Sequence, residues 1–269
     1  MVKAVKLAIL FLFFLFDSIV LFVKRIFGKG NPRVLVLIYH DVTSHCRQRF
    51  VRQLEMIKKY TTVIRAEKGY FPDKAGRYTA VTFDDAFGCL LENVVPEMDK
   101  RDIPWTLFVP TGYLGEHPRW DDWGPEWGDD SENYRVMDEK ALALLAQNEL
   151  ITLGSHSVTH PRFTTLDVEE RRKELTDSRR KLEEVAGKKV DSFAFPYGDY
   201  DKEIVAQARE EGYENIFSII PAYASLGDEE EEFGRMWVDP SDGELDFFLK
   251  LMGAYRWIPK VQRIIPILP

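Results

Sequence analysis

Apolar positions along the chain fall into two regimes. Residues 7–23 (LAILFLFFLFDSIVLFV) are apolar on every side except at Asp17 and Ser18, and Lys3, Lys6, Lys24 and Arg25 flank the run. At ~1.5 Å per residue a helix of this length covers roughly 25 Å, slightly less than a ~30 Å hydrocarbon core, and snorkelling of the flanking bases makes up the difference. The following Val-Lys-Arg-Ile-Phe-Gly is a poor signal-cleavage site, so residues 1–27 are read as an uncleaved membrane anchor. A signal peptide and a helix lying in the membrane plane are the alternatives. After the breaker-rich link 28–32 (GKGNP) the pattern changes. Short continuous apolar runs at 34–39, 80–83, 105–109, 151–153, 192–195, 215–220 and 235–238 alternate with stretches of helical period at 47–60, 87–100, 138–147, 166–185 and 202–211. Thr165 or Asp167 caps the fourth of these, and Gly187 and Gly212 follow two helix ends. Continuous apolar strands between helices read as parallel βα units. The expected fold is therefore α/β, a distorted (β/α) barrel of about seven strands over residues 33–246, with a doubly wound open sheet as the alternative. Residues 247–269, apolar with scattered bases and three prolines, either cover the barrel bottom or face lipid.

Composition narrows the function. Hydrophobic residues make up 45% and charged residues 30%, enough for a large core. The net charge of -8, with no basic stripe, argues against nucleic acid as a partner, since that binding needs clustered Lys and Arg. Two cysteines, Cys46 and Cys89, leave no disulfide framework and no cysteine zinc cluster.

Four strand candidates end in reactive polar residues. The first runs into His40-Asp41 and the second into Asp84-Asp85; the fourth is followed by His156 and His160, the fifth by Pro196-Tyr197-Gly198. In barrels and open α/β sheets the loops after the strand C-termini build the active face, so these groups converge on one rim. Two histidines and one strand-end carboxylate suit Zn²⁺ or another first-row divalent ion. Adjacent carboxylates at a strand end diverge, so one can bind metal while its neighbour, kept ionised by the cation, faces water. His40, placed on the same rim, is a candidate general acid. The segment 120–127 (WDDWGPEW) is either a loop stapled by its own aromatics or a sugar-stacking wall carrying Trp120, Trp123 and Trp127.

The segments Thr82-Phe83-Asp84-Asp85, Ser155-His156-Ser157-Val158-Thr159-His160 and Phe195-Pro196-Tyr197-Gly198 resemble, in order and spacing, three motifs of the polysaccharide deacetylases, the NodB-homology family. The resemblance spans about 32–239. It implies a (β/α)-barrel hydrolase that removes acetyl groups from N-acetylated sugars. It further implies Asp84 as general base, Asp85, His156 and His160 as metal ligands with Zn²⁺ the favoured ion, and the Tyr197 amide as part of an oxyanion hole beside Pro196. Three positions depart from the pattern. Ala86 stands where the family carries glycine after the paired acids. Ala194 stands at the motif arginine that steers the base, and Arg235 is a candidate replacement. No histidine follows His160, so the late proton donor is missing; Ile38-Tyr39-His40-Asp41 resembles the variant in which an N-terminal strand supplies it. The expected substrate is an N-acetylated sugar polymer or oligosaccharide. A deacylase of a lipid-linked sugar and a non-catalytic carbohydrate-binding relative are the alternatives. The bases after residue 23 outnumber those before it, which by the positive-inside rule favours a cytoplasmic barrel. The family works mostly outside the cytoplasm, and the extracytoplasmic side is slightly preferred.

Overall fold

A computed structural model describes residues 2–27, 31–120, 133–224 and 232–258. The expected barrel is present. Its strands are β1 (Pro32–Tyr39), β3 (Gly76–Phe83), β4 (Trp105–Val109), β5 (Ile151–Ser155), β6 (Ser192–Ala194), β7 (Asn215–Phe217) and β8 (Arg235–Trp237), all parallel, in the order β7-β6-β5-β4-β3-β1-β8. A two-residue β2 (Thr62–Val63) pairs with β3 off this path. A parallel bridge between Phe217 and Phe233, just before β8, brings the two edges together and nearly closes the ring.

The strands read as unbroken apolar runs because both their faces are buried. Val34, Val36, Ala80, Phe108, Ala194 and Phe217 point inward and form the barrel core. Their alternate neighbours, among them Leu35, Leu37, Tyr39, Val81, Phe83 and Leu107, pack outward beneath the helices. Gly154 makes room for the inward Phe108, whose ring a Cβ there would meet at 2.5 Å.

The helices are α2 (Arg47–Tyr60), α3 (Cys89–Asn93), α4 (Val95–Asp99), α5 (Glu139–Leu145), α6 (Val168–Ala186), α7 (Lys202–Glu210) and α8 (Glu244–Leu251). The expected helix over 87–100 is broken in two, because Pro96 lacks an amide donor and its ring crowds the preceding turn. Asp167, not Thr165, caps α6 in a full capping box with Glu170, and Gly187 ends that helix in the left-handed region at φ 64°. β3 begins four residues earlier than its apolar run, since Arg77, Tyr78 and Thr79 pair with Arg33, Val34 and Leu35 at the polar foot of the sheet.

The boundary expected at 246/247 falls inside α8. Phe247, Leu249 and Leu251 on that helix are buried, so the described part of the C-terminal segment belongs to the barrel. Arg77, at the foot of β3, donates to the Met252 carbonyl, which places this segment at the end of the barrel opposite the strand C-termini. The N-terminal apolar helix α1 (Val2–Ile26) packs there too, through contacts with α8 and the turn Ala254–Trp257. Its 7–24 window, with mean hydropathy 2.4, is long and apolar enough to cross a membrane.

Candidate active site

The residues expected on the rim meet there. The register Tyr39↔Phe83 sets His40 beside Asp84, and the Asp84 amide donates to the Tyr39 carbonyl at 2.9 Å. After Phe83 the chain turns sharply: Asp85 (φ 68°) and Ala86 (φ 51°) are both left-handed, at ~1–3 kcal/mol of strain for each such residue. Ala86 thus occupies a conformation that glycine would adopt without strain. The turn lets the two adjacent carboxylates face one pocket from different sides.

The paired histidines arrive on an irregular loop after β5. The His156 amide donates to the Val109 carbonyl, and the amide of His160, itself at φ 57°, donates to Ser157 Oγ. Glu174 on α6 clamps this loop. Its carboxylate accepts from the amides of Val158 and Thr159 at 2.7 and 2.9 Å and from the Thr159 hydroxyl at 2.7 Å. Nothing in the sequence marked Glu174, because it sits in a helix whose other acids and bases form an ordinary solvated face.

Asp85, His156 and His160 form a compact buried triad. His156 Nε2 and His160 Nε2 lie 3.7 and 3.5 Å from Asp85 Oδ1. Three features suit a divalent cation. The ligand atoms all lie within 4.8 Å of one another. Asp85 Oδ1 is buried with no hydrogen-bond partner. His156 Nδ1 is 2.8 Å from the Ala194 carbonyl, which takes the ring proton and leaves the Nε2 lone pair facing Asp85. Burial lowers His156 to about 4 and His160 to about 2, so both are neutral at pH 7, as metal ligands must be. Burial and the adjacent Asp84 push the Asp85 carboxyl well above its ordinary range, a penalty that a cation would relieve.

Asp84 has the opposite electrostatics. Burial alone would raise its pKa, yet Arg235 and His156 hold it below the ordinary value. The Arg235 guanidinium donates to both Asp84 oxygens, at 2.6 and 2.8 Å, and its Nε donates to the Ser218 carbonyl. Arg235 is wholly buried and rises through the barrel core between Phe108 and Phe217. From β8 it thus meets, through the barrel core, the carboxylate that a base-steering arginine would have to reach. His40 is lowered by burial, against the opposing pull of Asp84. Its neighbour Asp41 accepts from the Tyr134 hydroxyl at 3.1 Å.

Tyr197 lies in the turn Pro196–Gly198 after β6, at φ 59°, with Pro196 buried as the first residue of the turn. Its ring meets His160 edge-on at 4.6 Å and lies under the Arg162 guanidinium at 4.1 Å. Two readings stood open for Trp120, a loop stapled by its own aromatics and a sugar-stacking wall. Trp120 is only 5% exposed and stacks on the His160 imidazole at 4.2 Å, with Tyr113 against its edge, so its faces are already covered by protein. Trp123 and Trp127 lie outside the described residues.

Comparisons with known proteins bear on the family and the fold. The family model for polysaccharide deacetylase matches residues 72–216, a span that holds all three metal-ligand candidates and Asp84 but excludes His40 and Arg235. Comparison with curated proteins finds no match. Among solved structures, the fold is similar to IcaB from Ammonifex degensii (TM-score 0.66, 21% identity, covering 84% of this chain and 98% of that one). It is likewise similar to the Streptococcus pyogenes deacetylase PplD in complex with acetate (TM-score 0.65, 18% identity, 83% and 99%). A third similar structure is the BpsB deacetylase domain from Bordetella bronchiseptica (TM-score 0.61, 19% identity, 77% and 96%). A nearly closed parallel barrel, a His-His-Asp triad beside an arginine-clamped aspartate and a family match over more than half the chain lead to one conclusion: the protein belongs to the polysaccharide deacetylase family, hydrolases of the amide bond in acetylated carbohydrates.

Proposed function

We propose that the chain is a divalent-metal-dependent de-N-acetylase of a polysaccharide or oligosaccharide, attached to a membrane through α1. The observation that carries this reading is the buried Asp85–His156–His160 triad next to the Arg235-bound Asp84. Asp85, His156 and His160 would hold the ion, with Zn²⁺ favoured by the nitrogen-rich set. Such an ion supplies Lewis acidity toward the acetamide carbonyl and lowers the pKa of a nearby water toward ~7.

The chain's own groups do the rest. Asp84, kept ionised by Arg235, accepts the proton of the attacking water. The Tyr197 amide, turned by its left-handed backbone, donates to the oxyanion that develops on the carbonyl oxygen. His40, across the β1/β3 register from Asp84, protonates the departing sugar amine, without which the C–N bond does not break. Burial lowers the His40 pKa, so its imidazolium, once formed, gives up its proton more readily than a free one. Trp120, stacked on His160, orients a ligand ring instead of forming an open cleft wall.

Purified protein is expected to carry about one divalent ion per chain, to lose it in Asp85→Ala and His156→Ala, and to release acetate from N-acetylglucosamine oligomers. Full metal content in both variants, measured by elemental analysis, would refute the ligand assignment; metal-loaded protein inert on every acetylated sugar tested would refute the activity. Glu174→Ala, which touches no reacting group, is expected to weaken metal affinity by ~10–100-fold, as loss of groups that orient ligands does. An unchanged metal dissociation constant would mean that the loop holds its shape without the clamp.

A further inference from the structure

α1 carries two different apolar faces. Leu7, Leu10 and Phe14 pack against the end of α8 and the following turn, and the Phe13 ring stacks on Trp257 at 5.1 Å. Asp17 on the same side is 7% exposed and ion-pairs with Arg256 and, at 3.7 Å, with Arg33 at the foot of β1. The opposite stripe is bare: Leu12, Phe16, Ile19, Phe22 and Ile26 are 57–66% exposed at helical spacing.

We propose that α1 does not cross the bilayer: it lies flat in one leaflet, with the barrel bottom riding on its inward face. The proposal rests on the membrane attachment put forward above and changes its geometry. A helix that crossed the bilayer and left the barrel outside would carry Leu10, sixteen residues before Ile26, roughly 24 Å deeper. Leu10 instead packs with Leu249 and Ala254 of the barrel bottom. Crossing would also strip Asp17 of both arginines, at ~2.5–3.5 kcal/mol for an aspartate at the centre of a membrane helix. Docking and crossing are therefore exclusive.

Lipid, not a second protein surface, fits the bare stripe. Protein interfaces bring about one hydrogen bond per 100–200 Å², and none of these five outward side chains has a hydrogen-bonding group. Lys24 is exposed between Phe22 and Ile26, and Lys3 and Lys6 precede the run in sequence, charges suited to lipid headgroups.

One consequence concerns the substrate. The foot of β1 at Arg33 and the rim at His40 are seven residues apart, roughly 23 Å at ~3.3 Å each. The catalytic rim then faces away from the leaflet that holds α1. A sugar chain approaching through water is favoured over a short sugar held on a lipid of that membrane.

The test uses the full chain with Cys46→Ser, Cys89 being buried. Nitroxides are attached through Leu12→Cys, Phe16→Cys, Ile19→Cys and Ile26→Cys, all outward, on protein bound to phosphatidylglycerol–phosphatidylethanolamine vesicles. Oxygen and nickel-chelate accessibilities are expected to place all four labels at one common depth, ~5–10 Å below the headgroups. Depths spread over ~21 Å from position 12 to position 26, as a perpendicular helix requires, would overturn the in-plane arrangement but leave the attachment standing. Labels shielded from both reagents and broadened by spin–spin coupling would replace lipid by a second copy of the chain. Failure of the full chain to bind vesicles at all would end the membrane reading, while acetate release, measured in solution, would be unaffected.

Discussion

Asp84→Asn is expected to lower turnover by ~10²–10⁴ in metal-loaded protein and, separately, to destabilise the fold by ~3–5 kcal/mol. The first effect follows from removing, among the described residues, the one rim carboxylate outside the candidate metal triad that is held ionised by a buried arginine. The second follows from what the substitution leaves behind. Arg235 has no exposed surface, and its charge is balanced by Asp84. Asparagine keeps the shape but not the charge, so a guanidinium remains buried without its counter-ion.

The two effects are separable. In Asp84→Asn combined with Arg235→Met, the orphaned cation is gone and stability is expected to return toward that of the parent, because replacing a buried ion pair by apolar groups is often neutral or better. Activity is not expected to return. Denaturant midpoints and acetate release read the two arms. Near-normal turnover in metal-loaded Asp84→Asn would show that the proton goes elsewhere; an unchanged midpoint would show that Arg235 is neutralised by another group.

His40→Ala is expected to cost ~10²–10⁴ in deacetylation with no change in bound metal. Of the five histidines, two lie in the candidate metal triad. His45 is exposed and His117 half-buried, both in loops away from strand ends. His40 follows the last residue of β1 and interacts electrostatically with Asp84. The loss should be much smaller on an aryl acetate, whose leaving group departs without protonation. A packing residue would harm amide and ester alike by displacing β1. Equal losses on both substrates, or no loss on either, would remove His40 as the acid.

The resemblance in the sequence reached the site unevenly. Asp84, Asp85, His156 and His160 were legible because each follows an apolar run at a spacing that one family shares, and such runs point their ends to one rim. The clamps were less legible. Arg235 was only a candidate, since its partner Asp84 lies 151 residues away in the chain and the pairing passes through the barrel core. Glu174 was invisible among the charges of α6. Trp120 stayed open between a stapled loop and a sugar wall because composition reports an indole but not which of its faces the protein already covers.

The N-terminal run shows the same division. Hydropathy alone, which counts side chains without regard to their neighbours, made residues 7–23 an anchor and Asp17 an interruption. The strand pattern likewise determined parallel βα units, with a barrel preferred to an open sheet, because strands buried on both faces have no polar alternation to hide them. What the chain's order could not carry was long-range pairing: Asp84 with Arg235, His160 with Trp120, Asp17 with Arg33 and Arg256. These contacts depend on which strand ends and helix faces the closed ring brings within a few ångströms. That proximity is created by folding and leaves no periodic trace along the sequence.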